Sequence, residues 1–246
     1  MNIIFDFDGT LNDTAATYVP AFRLAYDHLV DIGYAEPRTF SRAEIMRWVG
    51  YSVKDMWDAF APDLDASEKR ACAKIIGDEM DRLALAGKAR MFPGVPEALD
   101  ALRAEGHVLH YLSNCSRAYM DFYREAFGLD RWITGFFCCE DYGWVPKTEI
   151  FPDVVRRFGS AEANRELARR AEASTAGDSS AVAVASHVRR EFIMVGDRFH
   201  DLEVARVYGL NGVGCAYGFG KREEIADATV IVERPEDMLE GVRRAM

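Results

Sequence analysis

The residues best suited to chemistry are carboxylates placed where apolar runs stop. Asp6-Phe7-Asp8-Gly9-Thr10 follows the short apolar run 2–5. Alternate residues of an extended chain point to one side, so Asp6 and Asp8 can converge on one metal ion or one substrate atom. The competing reading is that one of them caps the turn and Gly9 merely supplies a positive φ. A second pair, Asp197 and Asp201, lies in Gly196-Asp197-Arg198-Phe199-His200-Asp201 after the apolar run 192–195. A divalent cation could be held there, although each aspartate singly also suits a helix N-cap. Ser113-Asn114 closes the run that ends Tyr111-Leu112. The serine can donate to a phosphate oxygen beside the backbone N–H groups of a following helix, or the pair is an ordinary helix cap. Lys147, at the expected start of a helix, opposes the helix dipole, so its charge is either needed elsewhere or simply solvated. Arg198 and His200 have no spacing partner that demands metal or nucleophilic work.

These residues need strands to hold them. Strand-like segments at 107–112, 135–139, 192–195, 213–215 and 229–232 alternate with helix-like segments at 96–104, 117–127, 150–158 and 202–208. Together with the strand at 2–5, this rhythm implies an α/β fold, a parallel sheet with helices on both faces. Ligands of such sheets bind beyond the carboxyl ends of the strands, where Asp6 and Asp8 fall. The stretch before residue 91 differs. A helix is expected over 14–30, and 41–85 has helical spacing with no convincing strand, so this is a separate helical unit bounded by Phe92-Pro93-Gly94-Val95-Pro96. Residues 161–190, rich in Ala, Ser, Arg and Glu, read as a surface insertion, helical at first, with a mobile loop in the middle and at most a packed turn of helix or a brief strand at 181–185.

Composition excludes several classes of function. With 49% apolar and 28% charged residues over 246 positions the chain is globular and can bury a full core. Forty acids against 30 bases give a net charge of −10, so no basic footprint exists for a nucleic-acid backbone or an anionic membrane. A bound phosphate ester would need a metal ion and a few local groups for its positive charge. Cys72, Cys115, Cys138, Cys139 and Cys215 are odd in number and lack CxxC spacing, which argues for reduced buried thiols. The N-terminus has no export signal and no run approaches ~18 apolar residues, so a cytoplasmic protein is expected.

Four motifs in order, DFDGTLND, YLSN after PGVPEALDALRAEG, Lys147, and MVGDRFHDLEVARVYGLNGVGCAYGFGKREE, resemble the haloacid dehalogenase-like (HAD) hydrolase superfamily, in its phosphoglycolate phosphatase-like branch. The likeness spans nearly the whole chain. It implies a Rossmann-like three-layer parallel-sheet core, residues 1–13 and 91–246, with a small helical cap domain over 14–90. It implies that Asp6 is the nucleophile forming an aspartyl-phosphate, Asp8 the acid/base, and Lys147 the cation steadying both nucleophile and phosphoryl group. Gly9, Thr10, Ser113 and Asn114 are expected at the phosphate. Mg²⁺ is the implied cofactor, held by Asp6, Asp8 through its carbonyl, and Asp197, with Asp201 in support. In the cap, Arg47, Trp48, Val49, Gly50 and Tyr51 match a substrate-facing loop. There Arg47 could meet a second anion and Trp48 or Tyr51 could stack on a base or sugar, or else Trp48 and Val49 are cap core and Arg47 is solvated.

The function implied is a Mg²⁺-dependent phosphatase for a small phosphate monoester, of phosphoglycolate or nucleoside monophosphate type. Its alternatives are a phosphomutase of the same fold, or a non-catalytic binding module. The expected partner is a small phosphorylated metabolite, with no nucleic acid and no membrane, for a monomer or homodimer. Two departures bear on the substrate. Relatives often carry Lys-Pro-x-Pro where this chain has Lys147-Thr148-Glu149-Ile150, which weakens phosphoglycolate as the substrate. The tail GVGCAYGFGKREE also resembles members acting as 5′-nucleotidases.

Overall fold

A computed structural model of the chain describes residues 1–175 and 186–246. In order, the chain runs through β1 (Asn2–Phe5), α1 (Ala15–Asp31), α2 (Arg42–Met46), α3 (Val53–Phe60), α4 (Ala66–Leu85), α5 (Val95–Ala104), β2 (Val108–Ser113), α6 (Arg117–Ala126) and β3 (Ile133–Cys138). It continues through α7 (Lys147–Phe158), α8 (Ala161–Thr175), α9 (Ser186–Glu191), β4 (Phe192–Gly196), α10 (Phe199–Tyr208), β5 (Asn211–Cys215), β6 (Val230–Val232) and α11 (Met238–Ala245). The strands form one six-stranded parallel sheet in the order β3-β2-β1-β4-β5-β6. Strand order reverses between β1 and β4, and that switch point opens a crevice at their carboxyl ends.

The apolar runs become inner strands because both their faces are covered. Ile3, Phe5, Ile193 and Val195 pack with Leu99, Leu102 and Val242, on the side of α5 and α11. The alternate residues Ile4, Phe192 and Met194 pack with Phe151, Val154 and Val204, on the side of α7 and α10. The same period of two carries past β1: Phe7 is fully buried in the first of these clusters, which turns its neighbours Asp6 and Asp8 the other way. The α/β fold with helices on both faces expected from the sequence is the one observed.

Helices α1 to α4 enclose a third apolar cluster, containing Phe22, Leu29, Ile45, Met56, Trp57 and Ile76. Phe22 meets Phe40 and Phe60 edge-on, at ring-centroid distances of 5.6 and 5.3 Å. The chain leaves the sheet layer and returns to it side by side. Asn12 bridges to Met91, and Arg90 holds Asp13 at 2.6 Å.

Three elements differ from the sequence expectation. Helix α7 begins at Lys147, the helix start expected for that lysine, three residues ahead of the helical spacing at 150–158, and it tolerates Pro152 within it. Proline removes the bond to the carbonyl four residues back, and that carbonyl, of Thr148, accepts from the Tyr208 hydroxyl at 2.8 Å instead. Helix α8 is docked, not a free insertion: Ala163 is fully buried and Asn164 donates to the carbonyls of Val155, Gly159 and Ser160. The loop and the turn expected at 176–185 lie outside the described residues. Helix α11 was not anticipated, because its apolar positions Met238, Val242 and Ala245 sit in a short, charge-rich tail. Among the described residues, no helix is long and apolar enough to cross a membrane.

One buried titratable group affects stability. His110 in β2 is fully buried, 2.9 Å from Asn2 Oδ1 and 4.3 Å from the Phe158 ring. Burial, with a smaller push from Arg103, takes its pKa from 6.5 down to about 4. The folded state therefore keeps the ring neutral while the unfolded chain binds a proton, so stability present above pH 6.5 drains away as pH falls toward 4. The loss reaches about 3 kcal/mol if no other group compensates. Urea midpoints of the wild type are expected to fall across this window more steeply than those of His110→Gln. Parallel falls would remove His110 as the cause.

Candidate active site

The crevice collects one polar group from nearly every neighbouring strand end. Asp6 follows β1, and its N–H donates to Val195 O at 2.9 Å, so the strand pairing continues into the site. Ser113 is the last residue of β2, Lys147 the first of α7, Asp197 follows β4, and Asp201 lies in the first turn of α10. Lys147 Nζ donates to Asp6 Oδ1 and to Asp201 Oδ1, both at 2.6 Å. Carboxylate oxygens of Asp6, Asp197 and Asp201 lie within 4.8 Å of one another, and all three residues are buried. Asp197 Oδ2 accepts from the N–H groups of Phe219 and Gly220, at 2.7 and 3.1 Å. Its buried Oδ1 has no hydrogen-bond partner. Gly9 has a φ of +90°, and a Cβ there would come within 2.4 Å of Asp197 Oδ2, so only glycine lets the turn close over the cluster.

The electrostatics are unbalanced. Burial, then the charge of Asp201, raises Asp6 well above the carboxylate range, and the same two causes bring Asp197 to about 7. Burial works against the Lys147 ammonium, but Asp201 and Asp6 outweigh it and hold the charge firmly. Three buried carboxylates thus share one ammonium. The oxygen donors, their spacing and the unpartnered Asp197 oxygen fit a hard divalent cation, which would offset the excess negative charge.

Asp8 is held differently. Its Oδ1 accepts from Thr14 Oγ1 at 2.5 Å, Tyr119 Oη at 2.7 Å and Asn12 Nδ2 at 3.0 Å. Desolvation raises its pKa, and these three bonds only partly oppose the rise. One oxygen is therefore fixed, while the carboxyl borders a cavity of about 340 Å³ lined also by Asp6, Ser113, Asn114 and Gly50. The Thr10 hydroxyl is buried without a partner.

The loop 47–51 is clamped from two sides. Asn114 Nδ2 donates to Gly50 O at 3.0 Å, and Asn114 Oδ1 accepts from Cys139 Sγ at 2.9 Å. Arg198 is buried, pairs with Glu224 at 2.9 Å, donates to the carbonyls of Arg47 and Val49, and lies 5.2 Å from the Tyr51 ring centroid. The structure therefore brings Asp6, Lys147, Asp197 and Asp201 into one network and sets Asp8, Ser113, Asn114 and Gly50 around the adjoining cavity. It does not bring Arg47 there: that side chain is exposed, its guanidinium 4.7 Å over the Trp48 ring. Sequence reasoning missed Tyr119, Thr14 and the N–H groups of Phe219 and Gly220. It also left Arg198 without a role. The one available signal was that Arg198 sits inside the motif that carries Asp197 and Asp201.

Comparison with known proteins gives the family of the chain. Residues 3–215 match the family model described as haloacid dehalogenase-like hydrolase. A protein named phosphoglycolate phosphatase from Synechococcus elongatus is 28% identical, over 99% of this chain and 98% of its own length. A 5′-nucleotidase from Pseudomonas aeruginosa is 27% identical, over 91% of this chain and 86% of its own. The crystal structure of a predicted phosphatase from Clostridium acetobutylicum superposes with a TM-score of 0.73, at 17% identity, covering 98% of this chain and 97% of that one. With a family model spanning most of its length and full-length relatives of this kind, the chain is an enzyme of the haloacid dehalogenase-like hydrolase family and lies among that family's phosphatases.

Proposed function

We propose that the protein is a Mg²⁺-dependent phosphatase that hydrolyses small phosphate monoesters through an aspartyl-phosphate on Asp6, with residues 14–90 acting as a cap over the site. The observation that carries this reading is the Lys147 ammonium shared between Asp6 and Asp201 next to the unpartnered Asp197 oxygen. The relatives named phosphoglycolate phosphatase and 5′-nucleotidase support a phosphate monoester as substrate.

Asp6 attacks phosphorus, the bond from phosphorus to the ester oxygen breaks, and Asp8 donates its proton to the departing alkoxide. A carboxyl with a raised pKa, fixed through one oxygen by Thr14, Tyr119 and Asn12, is suited to that donation. Asp8 then accepts a proton from water as that water attacks phosphorus, releasing inorganic phosphate and restoring the Asp6 carboxylate. Lys147 holds the nucleophilic carboxylate in place, and the Ser113 hydroxyl is positioned at the cavity to donate to a phosphate oxygen. When bound by Asp6, Asp197 and the Asp8 carbonyl, with Asp201 in support, Mg²⁺ supplies positive charge against the phosphoryl oxygens. The clamp of Asn114 and Arg198 on the cap loop keeps bulk water from the cavity while the ester is bound.

The test is phosphate release from phenethyl phosphate, with excess Mg²⁺ and with chelator. Turnover is expected to fall at least a hundredfold in chelator and to return on re-addition of Mg²⁺. Undiminished release in chelator would overturn the metal-dependent reading.

A further inference from the structure

The cavity above Asp6 and Asp8 has walls of a definite character. Tyr18, Trp48, Tyr51, Met56, Trp57 and Met80, all from residues 14–90, form much of its apolar part, joined by Tyr119 from α6. Its charged lining beyond Asp6 and Asp8 consists of Lys74, Asp78 and Asp81 from α4. Lys74 is already paired with Asp78 at 2.6 Å. Burial, and to a lesser degree the negative charge of the neighbouring Asp78, raise the Asp81 carboxyl. The nearby arginines offer no relief: Arg198 is spent on Glu224 and on cap-loop carbonyls, while Arg47 is exposed and stacked on Trp48. Among the described residues, therefore, the cap-side lining sets two carboxylates against the one ammonium of Lys74, and no arginine lines the cavity.

Two features point to what does fit. The volume of about 340 Å³ lies within the range of small-molecule sites, and aromatic walls favour a flat body that stacks on them.

Resting on the phosphatase reading above, we propose that the enzyme selects phosphate monoesters whose leaving alcohol is uncharged and carries a flat aromatic or heteroaromatic body, and that it discriminates against leaving groups bearing a carboxylate or a second phosphate. Glycolate and phosphate as leaving groups would face Asp81 and Asp78 with only Lys74, already paired with Asp78, to offset them. An aromatic alcohol buries its ring against the cap and leaves its dianionic phosphate to the catalytic cluster.

The experiment compares kcat/KM for phenethyl phosphate and a nucleoside 5′-monophosphate with that for 2-phosphoglycolate and inorganic pyrophosphate, all with Mg²⁺. It is run in wild type, in Asp81→Lys, and in Asp78→Lys as a second variant should the first fail to fold. At least a tenfold preference for the aromatic esters is expected. Either lysine variant is expected to move the ratio of phosphoglycolate to phenethyl phosphate by about tenfold toward the anion. A wild-type preference for phosphoglycolate or pyrophosphate, or a ratio unmoved by the added cation, overturns the inference. In that case Mg²⁺-dependent release that vanishes in Asp6→Asn leaves the phosphatase reading standing. Silence on every ester, with Mg²⁺ present, overturns the phosphatase reading and this inference with it.

Discussion

Asp6→Asn is expected to lower phosphate release by about 10⁴-fold or more, the scale of removing a covalent nucleophile, while leaving the metal-free protein no less stable than wild type. The two halves of this expectation have different causes. An amide cannot form the acyl-phosphate, so the chemical step is lost whatever the binding geometry. Stability follows from the charge excess around Lys147. Burial and Asp201 raise the Asp6 pKa, so at neutral pH the unfolded chain ionises this carboxyl more readily than the folded one does. A carboxyl with a raised pKa contributes stability at low pH that is lost as pH rises from the unfolded value through the folded one, and the neutral amide is spared that loss. Lys147 keeps its second partner, Asp201, at 2.6 Å. Single-turnover assays with phenethyl phosphate and thermal melts in chelator check both halves. Wild-type turnover would falsify the nucleophile assignment, and a melt several degrees lower would show that the Asp6 to Lys147 contact outweighs the repulsion.

The strands were legible because inner strands of a parallel sheet are covered on both faces, so runs such as Ile3-Ile4-Phe5 and Ile193-Met194-Val195 stand out as short apolar segments. Asp6 and Asp197 were legible for a related reason: each stands where such a run stops at the end of the sheet, and a charge beside a buried strand has few structural purposes. What holds those groups in place was not legible. Tyr119 reaches Asp8 across 111 positions, and Arg198 reaches the Arg47 carbonyl across 151. A side chain that donates to a distant backbone carbonyl leaves no periodicity, because any residue at the far end supplies the same oxygen. Asn114 illustrates this. Its place after Ser113 suggests a phosphate contact, yet its amide is committed to the Gly50 carbonyl and to Cys139. Arg47 shows the converse: its position in a loop expected to face substrate says nothing of where the guanidinium goes, and here the Trp48 ring takes it.

Lys147→Met is expected to have the second largest effect, and it separates the roles of the two positive charges. The methionine fits the buried volume but leaves Asp6 and Asp201 facing each other without the ammonium that bridges them at 2.6 Å. Removing one partner of a buried ion pair costs about 3–5 kcal/mol, so the melt in chelator should drop by many degrees. Turnover with Mg²⁺ should fall by about 10²- to 10³-fold, since the nucleophile loses its positioning cation as well as one compensating charge. The diagnostic is the response to Mg²⁺. In wild type the ammonium competes electrostatically with an incoming cation for Asp6 and Asp201, whereas in the variant Mg²⁺ meets three uncompensated carboxylates. The stabilisation on adding Mg²⁺ should therefore be larger in Lys147→Met than in wild type, at the same metal concentration. If the shift is equal or smaller, the lysine and the metal do not share these carboxylates, and the cluster of Asp6, Asp197 and Asp201 is not where the cation binds.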